Sequence, residues 1–516
     1  MAGIGDKIGI PTKEFERQHE LIKLPRTLMG GTEAMRAANT EYLPKKASEE
    51  DEDYQHRLKS ATLVNMFKRT LSYMSGQVFQ KPVRYQESPD GETLTYDVDK
   101  FTQFQEDVDT RGSNLSMFTK SVFENGVIDG VVFVLADYSK VQLERGEDGS
   151  LYYIDSNGAR QPKNADADTQ NNWRPYLVIV KAGQVIDAWL DVVNGKQVIK
   201  AFRYLEAFEK SINDYERETF NRVRVYFPDR WEVWEASAED GKSATYEMVE
   251  RGANPLGFIP VSWFIPGESI TGLTARPALD DLAYLNASHW RAFADHEQLM
   301  EHDRRPVWKG TDLEPPKNDK GEDQPLIFGP GRVILGPAGS DLKNVGVDPN
   351  SVDKSLADLT ARENYMMLHG LQLAVPQTGT LTATQASIAA ASSDSTLKGW
   401  VQLLQDCMEN VLRNVALWLN GTDGPALNIN TEFRLALDLS LLTQLSSMAS
   451  KGQLSTETLL EVGKRMDIFN DEFSVDEELM RLEEEHKQQE SSVSGLFGFT
   501  DGNNNSNNAQ MSEGVA

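Results

Sequence analysis

Cysteine is almost absent: Cys407 is the single one in 516 residues. One thiol excludes an internal disulfide and any cysteine-based zinc site. No run of 18 apolar residues occurs, so no membrane-spanning helix is expected. The opening MAGIGDKIGIPTKEFERQHE lacks a charged n-region leading into an apolar h-region, so no secretory signal is expected and synthesis is expected in the cytoplasm. Positive charge is in deficit. The chain has 52 Lys and Arg against 79 Asp and Glu, a formal net charge of −27. A protein that grips DNA by its phosphates needs a basic patch. This chain repels DNA at long range, which fits either a protein without DNA contact or a surface that DNA slides past without sticking.

Recognisable catalytic patterns are missing as well. HEQLMEH (296–302) resembles a zincin helix, but position 300 is Met300 where a second histidine would have to stand. His289 and His296 are two helical turns apart, roughly 10 Å along an axis, too far to share an ion on one helix. Asp240-Gly-Lys-Ser243 resembles the end of a phosphate-binding loop, but Ala236 stands where the first glycine belongs, and no apolar strand leads in. No G-x-S-x-G elbow and no G-x-G-x-x-G occur. Neither a cofactor nor a metal is expected, and the chain is read as a non-enzyme.

What is present is length and strong local periodicity. A chain of 516 residues predicts two to four substructures. Leu58, Ala61, Leu63, Met66, Phe67, Leu71 and Met74 predict one amphipathic helix of about 25 residues. Another helix is expected over 101–125 and a buried strand over 131–137 (VVFVLAD). Residues 139–172 read as a hairpin or loop. From 176 to 250 the runs YLVIV, VIDAWL, VIKAFRYLEAF, RVRVYF and RWEVWE, split by turns such as Asn194-Gly195, predict an antiparallel sheet.

Helical spacing returns at 277–302, with Leu279, Leu282, Ala283, Asn286, Trp290, Phe293 and Met300 on one stripe. It returns again at 351–371, with Val352, Leu356, Leu359, Met366 and Gly370. Between them lies a Pro- and Gly-rich module with two β-like runs, Pro306-Val-Trp-Lys309 and Arg332-Val-Ile-Leu335. AVPQTGTLTAT (374–384) reads as a flexible loop. Leu397, Val401, Leu404, Met408, Val411, Val415 and Trp418 follow a heptad-like stripe. A strand at 427–437 and helices near 439–450, 455–464 and 475–489 follow. The tail from Ser491 reads as disordered. The fold class is α+β, mainly helical.

This order of elements, together with EYLPKKASEEDEDYQHRLKSATLVNMFKRTLSYMSGQVFQKPV (41–83), the stretch 101–138, PLGFIPVSWF (255–264), PALDDLAYLNASHWRAFADHEQLMEHDRRPVWKG (277–310) and GQLSTETLLEVGKRMDIF (452–469), resembles the portal proteins of tailed bacteriophages. More narrowly, it resembles a portal-like family long labelled a domain of unknown function. The resemblance covers about residues 30–490. The segments 139–172 and 205–222 look like local insertions, and the tail after 490 matches nothing in the pattern.

The resemblance implies a layout. A wing-like α+β domain would span 1–268, a first stem helix 269–303, a clip-like module 304–350 and a second stem helix 351–373. A tunnel loop would lie at 374–384, a long helix and strand returning to the wing at 385–437, a helical crown at 438–490 and a disordered tail at 491–516. It also implies a ring, dodecameric by family habit, forming the DNA channel at one capsid vertex of the virion. Implied partners are double-stranded DNA passing non-specifically, the large terminase subunit, head–tail adaptor or tail proteins, and the major capsid and scaffolding proteins; no membrane is implied.

The implied channel residues are Gln377, Thr378, Gly379, Thr380 and Thr382 on the loop. Polar stem positions include His289, Arg291, Lys354 and Arg362. The clip cations Arg304, Arg305, Lys309, Lys317, Lys320 and Arg332 would dock the motor or adaptor. The competing readings are another structural virion protein, such as a head–tail adaptor, and an uncharacterised hydrolase. An adaptor would be much shorter, and a hydrolase would need a pocket of convergent titratable groups.

Overall fold

The structure is a computed structural model that describes residues 7–86, 96–139, 143–145, 151–154, 159–162, 173–236, 245–304, 307–312, 317–318, 320–321, 323, 339–346, 348–371, 383–419, 421–431, 447–449, 451, 455–465, 473–482, 484 and 487. The chain divides into two units, residues 1–433 and 434–516. The first is α+β.

Helices α1 (Lys13–Met29), α2 (Gly31–Ala37), α3 (Asp51–Ser60) and α4 (Met66–Val78) open the chain. The single helix expected across 58–74 is two. Ala61 is extended at φ −56°, ψ 132°. Asn65 then caps α4 by accepting a hydrogen bond from the Lys68 N–H, a local interaction that competes with helix continuation. The apolar periodicity misled because Leu58, Leu63, Phe67 and Leu71 all enter one core across the break.

The short strand β1 (Arg84–Tyr85) precedes α5 (Val98–Glu106) and α6 (Leu115–Asp129). The helix expected at 101–125 is also interrupted. At 107–114 Thr110 and Gly112 take positive φ (63° and 85°), and the Asp109 carboxylate accepts from the N–H groups of Arg111 and Ser113 at 2.9 and 3.2 Å. Gly130 ends α6 at φ 82°. A Cβ there would lie 2.5 Å from the Arg276 carbonyl, so this turn requires glycine.

Strand β2 (Val132–Tyr138) lies in the middle of a three-stranded antiparallel sheet. Its alternation sorts two cores. Val132, Val134 and Ala136 join the helical core, while Phe133 and Leu135 join the core beneath the larger sheet. Strands β3 (Leu143–Arg145), β4 (Leu151–Ile154) and β5 (Arg160–Pro162) form a small meander in the expected excursion.

After β6 (Pro175–Lys181), which pairs with β2, a five-stranded antiparallel meander runs through β7 (Val185–Val193), β8 (Lys196–Ser211), β9 (Arg217–Tyr226), β10 (Arg230–Ala236) and β11 (Tyr246–Ala253). Each β-branched or aromatic run read from the sequence is one of these strands. Asn194 and Gly195 both take positive φ (53° and 78°), as the two-residue turn between β7 and β8 requires. Strand β12 (Val261–Phe264) completes the three-stranded sheet, and β13 (Glu268–Thr271) pairs with β14 (Thr274–Arg276).

The next elements are α7 (Asp280–Arg304), β15 (Val307–Thr311), β16 (Asp341–Val345) and α8 (Pro349–Leu371). The 36-residue α9 (Ala383–Trp418) follows. Its heptad-like stripe is core: Leu397, Val401, Leu404, Met408, Val411 and Val415 are buried, and the Trp418 indole donates to the Ala136 carbonyl at 2.9 Å. Strand β17 (Leu427–Asn428) returns to pair with β1; the rest of the strand expected to 437 lies mostly outside the described residues. In the second unit α10 (Thr456–Arg465) begins at Ser455, whose hydroxyl accepts from the Thr458 N–H at 3.1 Å. The tail from 491 is outside the described residues. No helix among the described residues is long and apolar enough to cross a membrane.

Candidate functional site

The segment 280–371 is a long antiparallel excursion. Three contacts across α7 and α8 set its register. Arg362 donates to the Ser288 hydroxyl, His289 Nε2 lies 3.3 Å from Glu363 Oε1, and His296 Nδ1 lies 3.0 Å from Ser355 Oγ. Numbers rise along α7 as they fall along α8. The same register runs on into the β15–β16 ladder, from Val307 opposite Val345 to Thr311 opposite Asp341. With 25 residues, α7 alone spans about 37 Å at ~1.5 Å per residue.

One end of this excursion is set in the helical core. Trp290 and Asn286 are fully buried. The Asn286 side chain accepts from the Phe67 N–H at 3.0 Å and donates to the Val64 carbonyl at 2.9 Å. It thereby bonds one of the unpaired N–H groups at the start of α4. Further along α7, Asp295 meets Lys46 at 2.9 Å and Arg57 at 3.4 Å. The Arg57 guanidinium also holds Glu49 at 2.7 Å, and those two side chains are 2% and 5% exposed. Beside Arg57, the Glu49 carboxyl is held down at about 2.

The family model described as "Domain of unknown function (DUF4055)" matches residues 278–419, from the start of α7 to the end of α9. No curated protein matches the sequence. Among solved structures, a chain in the neck of a native gene transfer agent (GTA) particle, computed with C12 symmetry, is similar at a TM-score of 0.36 and 10% identity, over 77% of this chain and 89% of that one. A chain in the virion of a native GTA particle is similar at a TM-score of 0.35 and 12% identity, over 76% and 88%.

The structure divides the expected stem positions. Arg291 and Lys354 are exposed on the outer faces of α7 and α8. Arg362 is half-buried, bonded to Asp358 at 2.8 Å and to Ser288. His289 corrects the expectation of a polar position facing water, a lumen or a neighbour. It is 0% exposed within the single chain, because it lies on the side of α7 that meets Glu363. Its Nδ1 and the Trp290 Nε1 are buried without a hydrogen-bond partner. Burial pushes the His289 imidazole below its ordinary pKa, against the pull of Glu363. The stripe read for α8 is also corrected. Leu356 is 55% exposed, and the inward line runs through Ser355, Leu359, Glu363 and Met366, at steps of four, four and three.

In the module between the helices, Arg304, Lys309, Lys317 and Lys320 are exposed. Arg305 and Arg332 lie outside the described residues, as does the strand expected at 332–335. The partner of β15 is the run DLKNV at 341–345, which carries little apolar alternation. Gln377, Thr378, Gly379, Thr380 and Thr382 also lie outside the described residues, as does Asp240-Gly-Lys-Ser243.

One polar cluster escaped sequence reasoning. Asp137 accepts from the hydroxyls of Tyr176 (3.1 Å) and Tyr226 (3.0 Å). Glu206 accepts from both Arg222 and Arg224 at 2.6 Å. Burial raises the phenols of Tyr176, Tyr204 and Tyr226, so they stay neutral donors. Burial also pushes the Glu206 carboxyl up, but the two guanidiniums outweigh it and hold it below its ordinary range. Asp137, Tyr176, Tyr204, Glu206 and Arg224 border a cleft of about 390 Å³ between β6, β8 and the 109–113 turn. The signal was the alternation of RVRVYF, which places Arg222 and Arg224 on the face of β9 opposite Val223 and Val225. The carboxylates and guanidiniums answer each other, so the cluster joins two sheets. Among the described residues no group of three or more His, Cys, Asp or Glu converges as a metal would require.

Proposed function

We propose that the chain is a structural subunit of a portal-type ring in a phage-like particle. The observation that carries the reading is the α7–β15–β16–α8 excursion, one antiparallel register from Ser288 and Arg362 out to Thr311 and Asp341. One end is buried in the helical core and the other is exposed. A ring channel needs such a part in every subunit: a rigid helix pair to stand in the wall, and a tip that projects for docking. The family-model match spans this excursion together with the long helix behind it, and the sequence resemblance to tailed-phage portals covers the same stretch and more.

In this proposal Arg291 and Lys354 face neighbouring subunits or the channel. The exposed Arg304, Lys309, Lys317 and Lys320, with Arg305 and Arg332, meet the terminase motor and later the head–tail adaptor. Loop 374–384, with Gln377, Thr378, Gly379, Thr380 and Thr382, passes DNA without lysine or arginine to trap phosphates. The capsid and scaffolding proteins surround the ring at one vertex. The protein acts as a conduit, without cofactor.

Negative-stain microscopy and native mass spectrometry of the purified protein test this. The expected result is a closed ring with a central hole, near twelve subunits. A monomer that persists at micromolar concentration across salt conditions overturns it.

A further inference from the structure

The five-stranded sheet has unlike ends. Strand β7 stops pairing with β8 at Tyr204, and β10 stops pairing with β9 at Arg222. Beyond those points β8 and β9 continue alone, to Ser211 opposite Arg217. The result is a two-stranded arm reaching roughly 20 Å beyond the sheet at ~3.3 Å per residue. An isolated hairpin is marginal in water, yet this one is internally organised. Phe208 sits opposite Phe220 with ring centres 5.9 Å apart, and Arg222 lies 4.6 Å over the Phe208 ring. At the tip the Asn213 side chain accepts from the N–H groups of Tyr215 and Glu216, both at 2.9 Å. The tip presents Ile212 and Tyr215, which are 60% and 95% exposed.

At the opposite end of β8, roughly 50 Å away along its 16 residues, the β7–β8 turn carries a second apolar patch. On one face of this hairpin Trp189, Val193 and Val198 are 55%, 49% and 38% exposed. The two ends differ in charge. Residues 206–221 hold five acidic side chains against two basic ones, whereas residues 189–200 hold one acidic against two basic. In a chain with net charge −27, an end with a basic excess is the natural acceptor for an acidic arm.

We propose that the acidic β8–β9 arm of one copy docks, through Ile212 and Tyr215, on the Trp189–Val198 patch of a second copy. Donor and acceptor lie at opposite ends of one sheet. No chain can therefore satisfy itself, and the contact is head-to-tail, the kind that closes a ring when the rotation per subunit fits. The arm is ordered before binding, so little freedom is lost on docking, and Tyr and Trp are the side chains that concentrate interface energy. The inference rests on the ring reading in supposing that copies stand side by side.

The test uses the full chain. Cys407 is buried, so a chain carrying Tyr215→Cys and Val193→Cys exposes two introduced thiols. Treatment with a short bismaleimide should give a ladder of covalent oligomers from the double variant, and monomers from each single variant. Separately, Ile212→Ser with Tyr215→Ser changes only exposed side chains, and should raise the concentration needed for assembly at least tenfold while leaving the melting temperature of the monomer unchanged. A ladder without rings in the microscope sustains the contact and removes the ring reading. Absence of a ladder, with or without rings, overturns the contact; so does assembly of the serine variant at the wild-type concentration.

Discussion

The two halves of α7 share one helix and meet very different surroundings. From 280 to 294 it is core, with Leu282, Ala283, Asn286, Ala287, His289, Trp290 and Ala294 buried. From 295 to 304 no residue is buried, and the side chains pair with Lys46, with the buried Arg57 and with Ser355. The inner half is held by packing, where shape decides the energy. The outer half is held by charge and by α8. A helix built this way is fixed in direction at its base and carries its polar side chains towards its far end.

The sharpest way to break this contrast is at the base. Trp290→Ala should lower stability by about 3–5 kcal/mol, read as a large fall in melting temperature, because it empties a fully buried indole site. A loss under 1 kcal/mol would mean that the inner half is not packed as described. Arg57→Ala comes next, at about 3 kcal/mol, since it leaves Glu49 buried without its guanidinium. The same pair predicts an acid transition. The folded Glu49 carboxyl sits at about 2, below its ordinary 4.5. Its stabilisation is therefore present above pH 4.5 and lost as pH falls toward 2. Acid titrations of wild type and Glu49→Gln should diverge in that window; superimposable curves would refute the assignment.

His289 should give a smaller effect. Its folded pKa is lowered from 6.5 by burial, so its contribution is complete above pH 6.5 and is lost as pH falls below that. Melting temperature should drop between pH 7 and 5 in the wild type, and the drop should be smaller in His289→Gln. An equal drop in both places the titrating group elsewhere. The smallest effect belongs to the outer surface. Leu356→Ser should change monomer stability by no more than about 0.5 kcal/mol. A clear loss confined to assembled particles would show that a neighbour covers Leu356.

Legibility from sequence followed the same division. Strands β6 to β10 were readable because β-branched and aromatic runs bounded by turns have no good alternative. Helix α9 is readable because Leu397 to Val415 repeat through about five turns with nothing to interrupt them. Helices α3 and α4, and α5 and α6, were read as single helices, since apolar spacing reports which side chains reach the core and is silent on a capping Asn65 or on Thr110 at positive φ. The segment 205–222, which looked like an inserted loop, is the paired arm of β8 and β9. Its Phe208–Phe220 contact joins strands whose partnership no local pattern announces. At the candidate site, the helix–module–helix order was visible, but the side of His289 was not: a histidine on a polar-looking helix reads as exposed until a second helix is laid against it.

Composition and periodicity by themselves determined that this chain has no internal disulfide and no cysteine-based zinc site, that it is α+β, and that two strongly periodic helices bracket a Pro- and Gly-rich module. These follow from residue counts and spacings of a few positions, which the backbone must obey wherever it lies. Tertiary structure alone decided that the two helices run antiparallel in the register of Ser288 with Arg362, that Asn286 bonds the start of α4 across more than 200 residues, and that the Tyr226 hydroxyl reaches Asp137 between two sheets. Each is a contact between segments distant in sequence, and its energy exists only once burial has removed water from the groups that meet.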